Sequence, residues 1–255
     1  FIKMVSFYYF LFIFVVLILA GEIFRRYPRL TLVTFLIIPI LLIPYWRLGG
    51  VVGWFPWVKG VSIMAGVVLI VLFRITKLGT TKFGRWSIYL FLVINILEAV
   101  LKYVMAGSVA NYLNAAAGIL IIMTLNRVNT IHIDTNGQYK DLHWGGMSLA
   151  WIIGYTLWNW VFIYLHYTSS SVHHLAILSS ALVIAFVDKD RWLQTRAITL
   201  GTYFILSISI LHLDSGLFSY PYSESFGLLM ASLSFAFMVI YASRAILSHR
   251  GRGYY

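Results

Sequence analysis

Nine apolar stretches separated by short, basic connections constrain this chain more than any other feature. They run roughly over residues 4–21, 30–46, 56–73, 86–105, 108–125, 147–166, 172–187, 197–213 and 225–243. Hydrophobic residues make up 61% of the 255 and charged residues only 11%, so the chain belongs in lipid rather than in a soluble domain. The expected fold is an all-α polytopic membrane protein, a single integral-membrane helical domain over residues 1–255 with about nine transmembrane helices. The apolar run Phe7–Ala20 passes directly into a helix without a small-residue cleavage site and reads as a retained first span. Pro39 and Pro44 interrupt the second stretch, which makes that span kinked, tilted or re-entrant.

Loop charge orients the spans. With the N-terminus outside, the cytoplasmic connections carry Arg25, Arg26, Arg29, then Arg74, Lys77, Lys82, Arg85, then Arg127, Lys140, then Lys189, Arg191, Arg196, and the tail adds Arg244, Arg250 and Arg252. The opposite side has Lys3, Arg47 and Lys59. Fifteen basic residues against three give an N-out, C-in arrangement, and basic residues recur at every inner connection. If the second span did not cross, Arg74 to Arg85 would fall on the opposite side from Arg25 to Arg29, a poorer fit. The formal net charge of +11 is thereby assigned to membrane orientation, and nucleic acid is not an expected partner. The cell membrane, as a multi-pass protein surrounded by lipid, is the expected location.

Within the fourth stretch Asn95, Glu98 and Lys102 are spaced by three and four residues, which puts them on one helix face. Ionisable groups are costly in hydrocarbon, so this face requires a partner, a water-filled cavity or a function. Glu98 and Lys102 stand in the favourable order for an intrahelical ion pair, which would pin the helix inside the bundle. Glu98, Asn114 and Asn159 each lie about 10 Å inside the outer boundary of their spans at 1.5 Å rise per residue. Asn111 is one turn above Asn114. Trp151, Tyr155, Trp158 and Phe162 form an aromatic stripe on the sixth span beside Asn159, readable as core, as a partner interface or as a wall for an organic solute. The expected solute path is therefore Asn95, Glu98, Lys102, Asn111, Asn114, Trp158 and Asn159.

Metal and enzyme signals are weaker. His166, His173, His174 and His212 fall at predicted outer helix ends near Asp214 and Glu224, and His173, His212 and Asp214 form the candidate ligand set. No HExxH pair occurs, and adjacent His173 and His174 point in different directions on a helix. His132, Asp134, Asp141 and His143 are a second, loose collection in the longest connection, Asn126–Gly146, which reads as a turn-rich loop or short hairpin. No cofactor is implied. Cysteine is absent, removing thiolate and iron–sulfur chemistry, and neither a phosphate loop nor a dinucleotide fingerprint occurs.

Three function classes follow. The first is membrane transport of a small ion or polar solute through the intramembrane polar site. The second is an integral membrane enzyme that acts on a lipid or isoprenoid substrate with an outer-face His/Asp site. The third is a structural or assembly subunit whose aromatic sixth span docks a second copy of the chain or another membrane protein.

Overall fold

The computed structural model describes residues 2–48, 54–211 and 221–251. It is built from helices α1 (Ile2–Arg26), α2 (Pro28–Leu32), α3 (Ile38–Leu48), α4 (Trp54–Ile75), α5 (Lys82–Ala106), α6 (Val109–Met123), α7 (Leu149–His166), α8 (Ser171–Val187), α9 (Trp192–Leu206) and α10 (Glu224–Gly251). Each of the nine apolar stretches is helical over its described residues. Among the described residues, six helical segments are long and apolar enough to cross a membrane: Phe7–Arg26, Pro28–Leu48, Trp57–Ile75, Lys82–Ala106, Thr168–Val187 and Glu224–Leu247. Val109–Met123 is apolar but short, about 22 Å at 1.5 Å per residue. Large apolar side chains, among them Leu41, Val61, Ile94, Leu101 and Val187, are exposed around the outside. A surface of that kind calls for an apolar surrounding.

The proline-bearing second stretch is one continuous helical segment. Pro28 occupies the first turn of α2, where a missing N–H costs nothing. A π-helical turn, Val33–Ile37, then precedes Pro39, and Pro44 lies inside α3. Proline removes a donor and crowds the turn before it, and the widened turn takes up that mismatch without breaking the rod.

Helix order is set by local punctuation. Thr81 caps α5 by accepting from the Gly84 amide at 3.0 Å, and Gly107 ends it at φ 73°, a left-handed conformation that glycine adopts without a side-chain penalty. Ser108 immediately caps α6, so two residues reverse the chain. α5 packs on α6, α10 on α6 and α7, α1 on α8 and α9, and α4 on α9. Gly118 permits the close α5–α6–α7 approach, because a Cβ there would come within 2.7 Å of Val100 Cγ2 and 3.0 Å of Trp158 Nε1.

The longest connection is an ordered hairpin, β1 (Ile131–Ile133) against antiparallel β2 (Leu142–Trp144). Asp134 Oδ1 accepts from the Asn136 and Gly137 amides at 3.0 Å, which fixes the turn, and the His132 and His143 rings meet across the strands at 5.8 Å. Asp141 anchors this hairpin to one end of the bundle. Its carboxylate accepts from Arg25 Nε of α1 at 2.8 Å and from Gln194 Nε2 of α9 at 2.7 Å, with Arg74 Nη2 of α4 at 3.6 Å and Arg191 Nη1 at 4.0 Å. Arg74 Nη2 also donates to the carbonyls of Arg25 and Tyr139, at 2.7 and 2.8 Å. Burial, and then the charge of Arg25, lower the Arg191 guanidinium from its ordinary range against the pull of Asp141 and Asp188. The ends of α1 and α4, the start of α9 and the hairpin therefore lie on one side of the molecule.

Candidate functional site: a polar cavity between five helices

The buried stripe of α5 is Gly84, Ile88, Leu92, Ile96, Val100 and Tyr103, a three- and four-residue spacing that turns one face into the core. Asn95, Glu98 and Lys102 lie off that stripe. They face a cavity of about 360 Å³ whose other walls come from α4, α7, α8 and α9. Trp158 and Asn159 of α7 also line it. Five of the seven residues expected on a solute path are thus brought together.

The expected intrahelical pair is replaced by an interhelical one. Glu98 Oε2 accepts from Lys59 Nζ of α4 at 3.0 Å, with both side chains about a third exposed, at 39% and 33%. Lys102 instead donates to the Tyr167 hydroxyl and lies 4.0 Å from that ring's centroid, with the Phe162 centroid at 5.9 Å. An aromatic face attracts an ammonium group, so an exposed carboxylate one turn away is not the better neighbour. Asn95 Nδ2 donates to the Phe91 carbonyl of its own helix at 2.8 Å.

Deeper in the cavity stands Arg196 of α9, 5% exposed. Its Nη2 is 3.5 Å from Asn159 Oδ1 and 3.5 Å from His174 Nε2, and His174 Nε2 is 3.0 Å from the same Asn159 oxygen. The Tyr155 hydroxyl interacts with the same guanidinium. Arg196 Nε and Nη1 have no hydrogen-bond partner. No carboxylate among the described residues forms an ion pair with it. Sequence reading placed Arg196 in an inner connection, because the apolar run of the eighth stretch begins only at residue 197, and counted Lys59 with the outer side, because it stands in the first turn of the third stretch, 56–73.

The cavity has a direction. Arg74, at the far end of α4, reaches the hairpin carbonyls, and Lys59 lies fifteen residues earlier, about 22 Å along the helix. Lys59, Lys102, Tyr167 and Ser170 therefore form the end remote from the hairpin, and Arg196 is the deep end. Below Arg196, Trp192 packs edge-on against Tyr155 at 4.9 Å and Trp151 at 5.7 Å, and the Asp141 cluster lies beyond.

Asn111 and Asn114 do not line this cavity, which corrects their place on the expected path. Asn111 Nδ2 donates to Ser108 Oγ at 2.7 Å in the cap of its own helix. Asn114 is 0% exposed; its Nδ2 donates to the Tyr103 hydroxyl and to the Trp158 carbonyl at 3.0 Å, and its own carbonyl accepts from Trp158 Nε1 at 2.8 Å. Both lie on the expected helix, but position along a helix carries no information on which way it is rotated. Asn114 ties α6 to α5 and α7 behind the cavity wall.

The aromatic stripe of α7 is interior: Trp151 and Trp158 are each 1% exposed, and Trp151 stacks on Tyr155 with centroids 5.6 Å apart. It gives no outward docking face. Among the described residues, no three His, Asp or Glu gather as for a metal ion. His173 is buried between the Tyr9 ring at 5.3 Å and the Tyr203 ring at 6.0 Å. His212 and Asp214, the other two candidate ligands, lie outside the described residues.

No curated protein and no solved structure matches this chain. One family profile matches residues 1–250, nearly the whole length, and the chain belongs to that family, DUF5692, a family of unknown function.

Proposed function

We infer that the protein is a multi-pass transporter of the cell membrane that passes a small ion or polar solute through the cavity between α4, α5, α7, α8 and α9. The observation that carries this reading is the cavity itself: four charged side chains, Lys59, Glu98, Lys102 and Arg196, converge from three helices on one space inside an otherwise apolar bundle. Lys59 and Glu98 pair with each other, but three cations against one carboxylate leave the space without full neutralisation, and charged groups kept at such a position are the usual mark of a solute path. Nine crossings with the N-terminus outside suit this reading, since the ends of α1 and α4 and the start of α9 meet the hairpin on one side, where Arg25, Arg74 and Arg191 gather around Asp141. That side is the cytoplasmic one by its arginines. The cavity then faces outward, and Trp151, Tyr155, Trp192 and the Asp141 cluster close it from within.

The test is flux through sealed vesicles containing the purified full chain, with concentration steps of sodium chloride, potassium phosphate, sodium acetate and choline chloride. The expected result is a current or uptake above protein-free vesicles for at least one of these, altered by Glu98→Gln while the variant remains monodisperse. Equal flux in Glu98→Gln removes Glu98 from the path, and no flux with any of the four overturns the transport reading. The chain contains no cysteine, so single-cysteine variants report topology cleanly. Asn136→Cys in the hairpin should react with a membrane-impermeant thiol reagent only from the inside and Val109→Cys only from the outside.

A further inference from the structure

We propose that the deep end of this cavity binds an organic oxyanion, a carboxylate or phosphate ester with an apolar body, on the Arg196 guanidinium. The proposal rests on the reading of the cavity as a solute site and names the charge and class of what enters it. Arg196 is buried, lines the cavity and leaves Nε and Nη1 without acceptors. Those two nitrogens carry three of the five N–H donors of a guanidinium. An arginine does not escape burial by losing its proton, unlike lysine or histidine, so the charge must be met by something that enters. Its protein neighbours are all uncharged: Nη2 is 3.5 Å from Asn159 Oδ1 and from His174 Nε2, the Tyr155 hydroxyl interacts with the guanidinium, and Asn159 Oδ1 already has His174 Nε2 at 3.0 Å.

The surroundings select the sign. Among the described lining residues, Lys59, Lys102 and Arg196 face a single carboxylate, Glu98, and that carboxylate is bonded to Lys59. The balance is cationic by two charges, so a cation entering to Arg196 meets net repulsion, whereas an anion gains a charge-assisted contact in a poorly screened place. The surroundings also select the body. Trp158, Phe162, Ile163, Leu200 and Phe204 form the rest of the wall, a surface suited to an aliphatic or aromatic group rather than to a hydrated inorganic ion. At about 360 Å³ the space suits a small organic molecule or a lipid headgroup with the first part of its chain.

Equilibrium binding to the purified full chain tests this separately from flux, since a site can bind without transporting. In nanodiscs of phosphatidylcholine, benzoate and butyl phosphate should raise the unfolding temperature saturably, more strongly than acetate and inorganic phosphate. Arg196→Gln should weaken the apparent affinity by at least tenfold, and Arg196→Lys, which keeps the charge but loses the planar fork, by a smaller factor. Lys82→Gln, which removes a positive charge at an exposed position, should leave it unchanged. If Arg196→Gln does not fold, the Arg196→Lys shift carries the test. A response to the soluble anions identifies a free organic anion. A response only when phosphatidic acid replaces part of the phosphatidylcholine identifies a lipid headgroup. Either outcome supports the site if the Arg196 variant weakens it. No saturable response to any of these probes, or a response of equal affinity in the Arg196 variants, overturns it. A vesicle assay without flux beside Arg196-dependent anion binding would remove transport and leave this inference standing.

Discussion

Two regions of this molecule bury arginine, and they treat it in opposite ways. At the hairpin end, Arg25, Arg74 and Arg191 converge on one carboxylate, Asp141, and backbone carbonyls of Arg25, Tyr139 and Lys140 accept from Nη2 and Nε of Arg74, leaving its Nη1 without an acceptor among the described residues. In the cavity, Arg196 has two contacts at 3.5 Å and a guanidinium edge with no acceptor. A buried ion stabilises a fold only when its partners are close and its hydrogen-bonding groups are met, so the first arrangement is a structural fastening. The second is costly to the folded chain alone and has a purpose only if something else approaches.

The largest effect should come from breaking the fastening. Asp141→Ala removes the carboxylate that three guanidinium groups share, leaving Glu22 to Arg25 and Asp188 to Arg191 but, among the described residues, no carboxylate to buried Arg74, and it also takes the acceptor from Gln194, whose Oε1 holds the Leu142 amide at 2.8 Å. The expected loss is about 3–5 kcal/mol, the cost of leaving buried charge uncompensated. It would be read as a fall in unfolding temperature and a loss of monodisperse protein on size exclusion. Arg196→Gln should instead leave stability unchanged or raised, because it removes a buried charge that no carboxylate among the described residues pairs with. If the two variants lose comparable stability, Arg196 is a structural group and the contrast between the regions fails.

Gly118→Ala ranks next. Its new Cβ would press on Val100 and on the Trp158 indole, which lies between the α6 packing and the cavity wall. Overpacking of this kind costs about 1–3 kcal/mol, measurable as a lowered unfolding temperature. Because Trp158 must move, the variant should also weaken binding of benzoate in the cavity. Unchanged binding would show that the α7 wall yields without reshaping the site.

Much of this was legible in the sequence, and the failures have physical causes. The helices followed from apolar run length, and the shared face of Asn95, Glu98 and Lys102 followed from their three- and four-residue spacing. The neighbours did not follow. Lys59 and Arg196 were assigned to the connections because a charge at the edge of an apolar run looks like a boundary, and for Arg196 the positive-inside rule gave a sufficient reason to be there. Leu193 and Leu200, one turn to either side of Arg196, are the local signal that its face continues the helix, and α9 begins at Trp192, well before the apolar run. Asn114 failed for the complementary reason: its helix was right, but rotation about the helix axis is fixed only by contacts with Tyr103 and Trp158. Asp141 and its arginines are far apart in sequence, up to 116 residues for Arg25, and no periodicity links them.

The smallest effect on stability, and the sharpest test of the comparison, concerns Lys59 and Glu98. Their charges meet at 3.0 Å, as close as those of Arg25 and Asp141, yet each side chain keeps about a third of its surface exposed where Asp141 keeps 3%. Distance alone would rank the two pairs together; exposure separates them, since water reaching the cavity screens the ions and hydrates either partner when the other is removed. A double-mutant cycle of Lys59→Gln and Glu98→Gln should therefore give a coupling energy for unfolding of about 0–1 kcal/mol. Flux is expected to respond to each single change, because the pair controls the charge that an entering solute meets before it reaches Arg196. A coupling as large as that between buried ions would make the pair a second fastening like the Asp141 cluster. The outer part of the cavity would then be a fixed plug, and a solute could reach Arg196 only by breaking it.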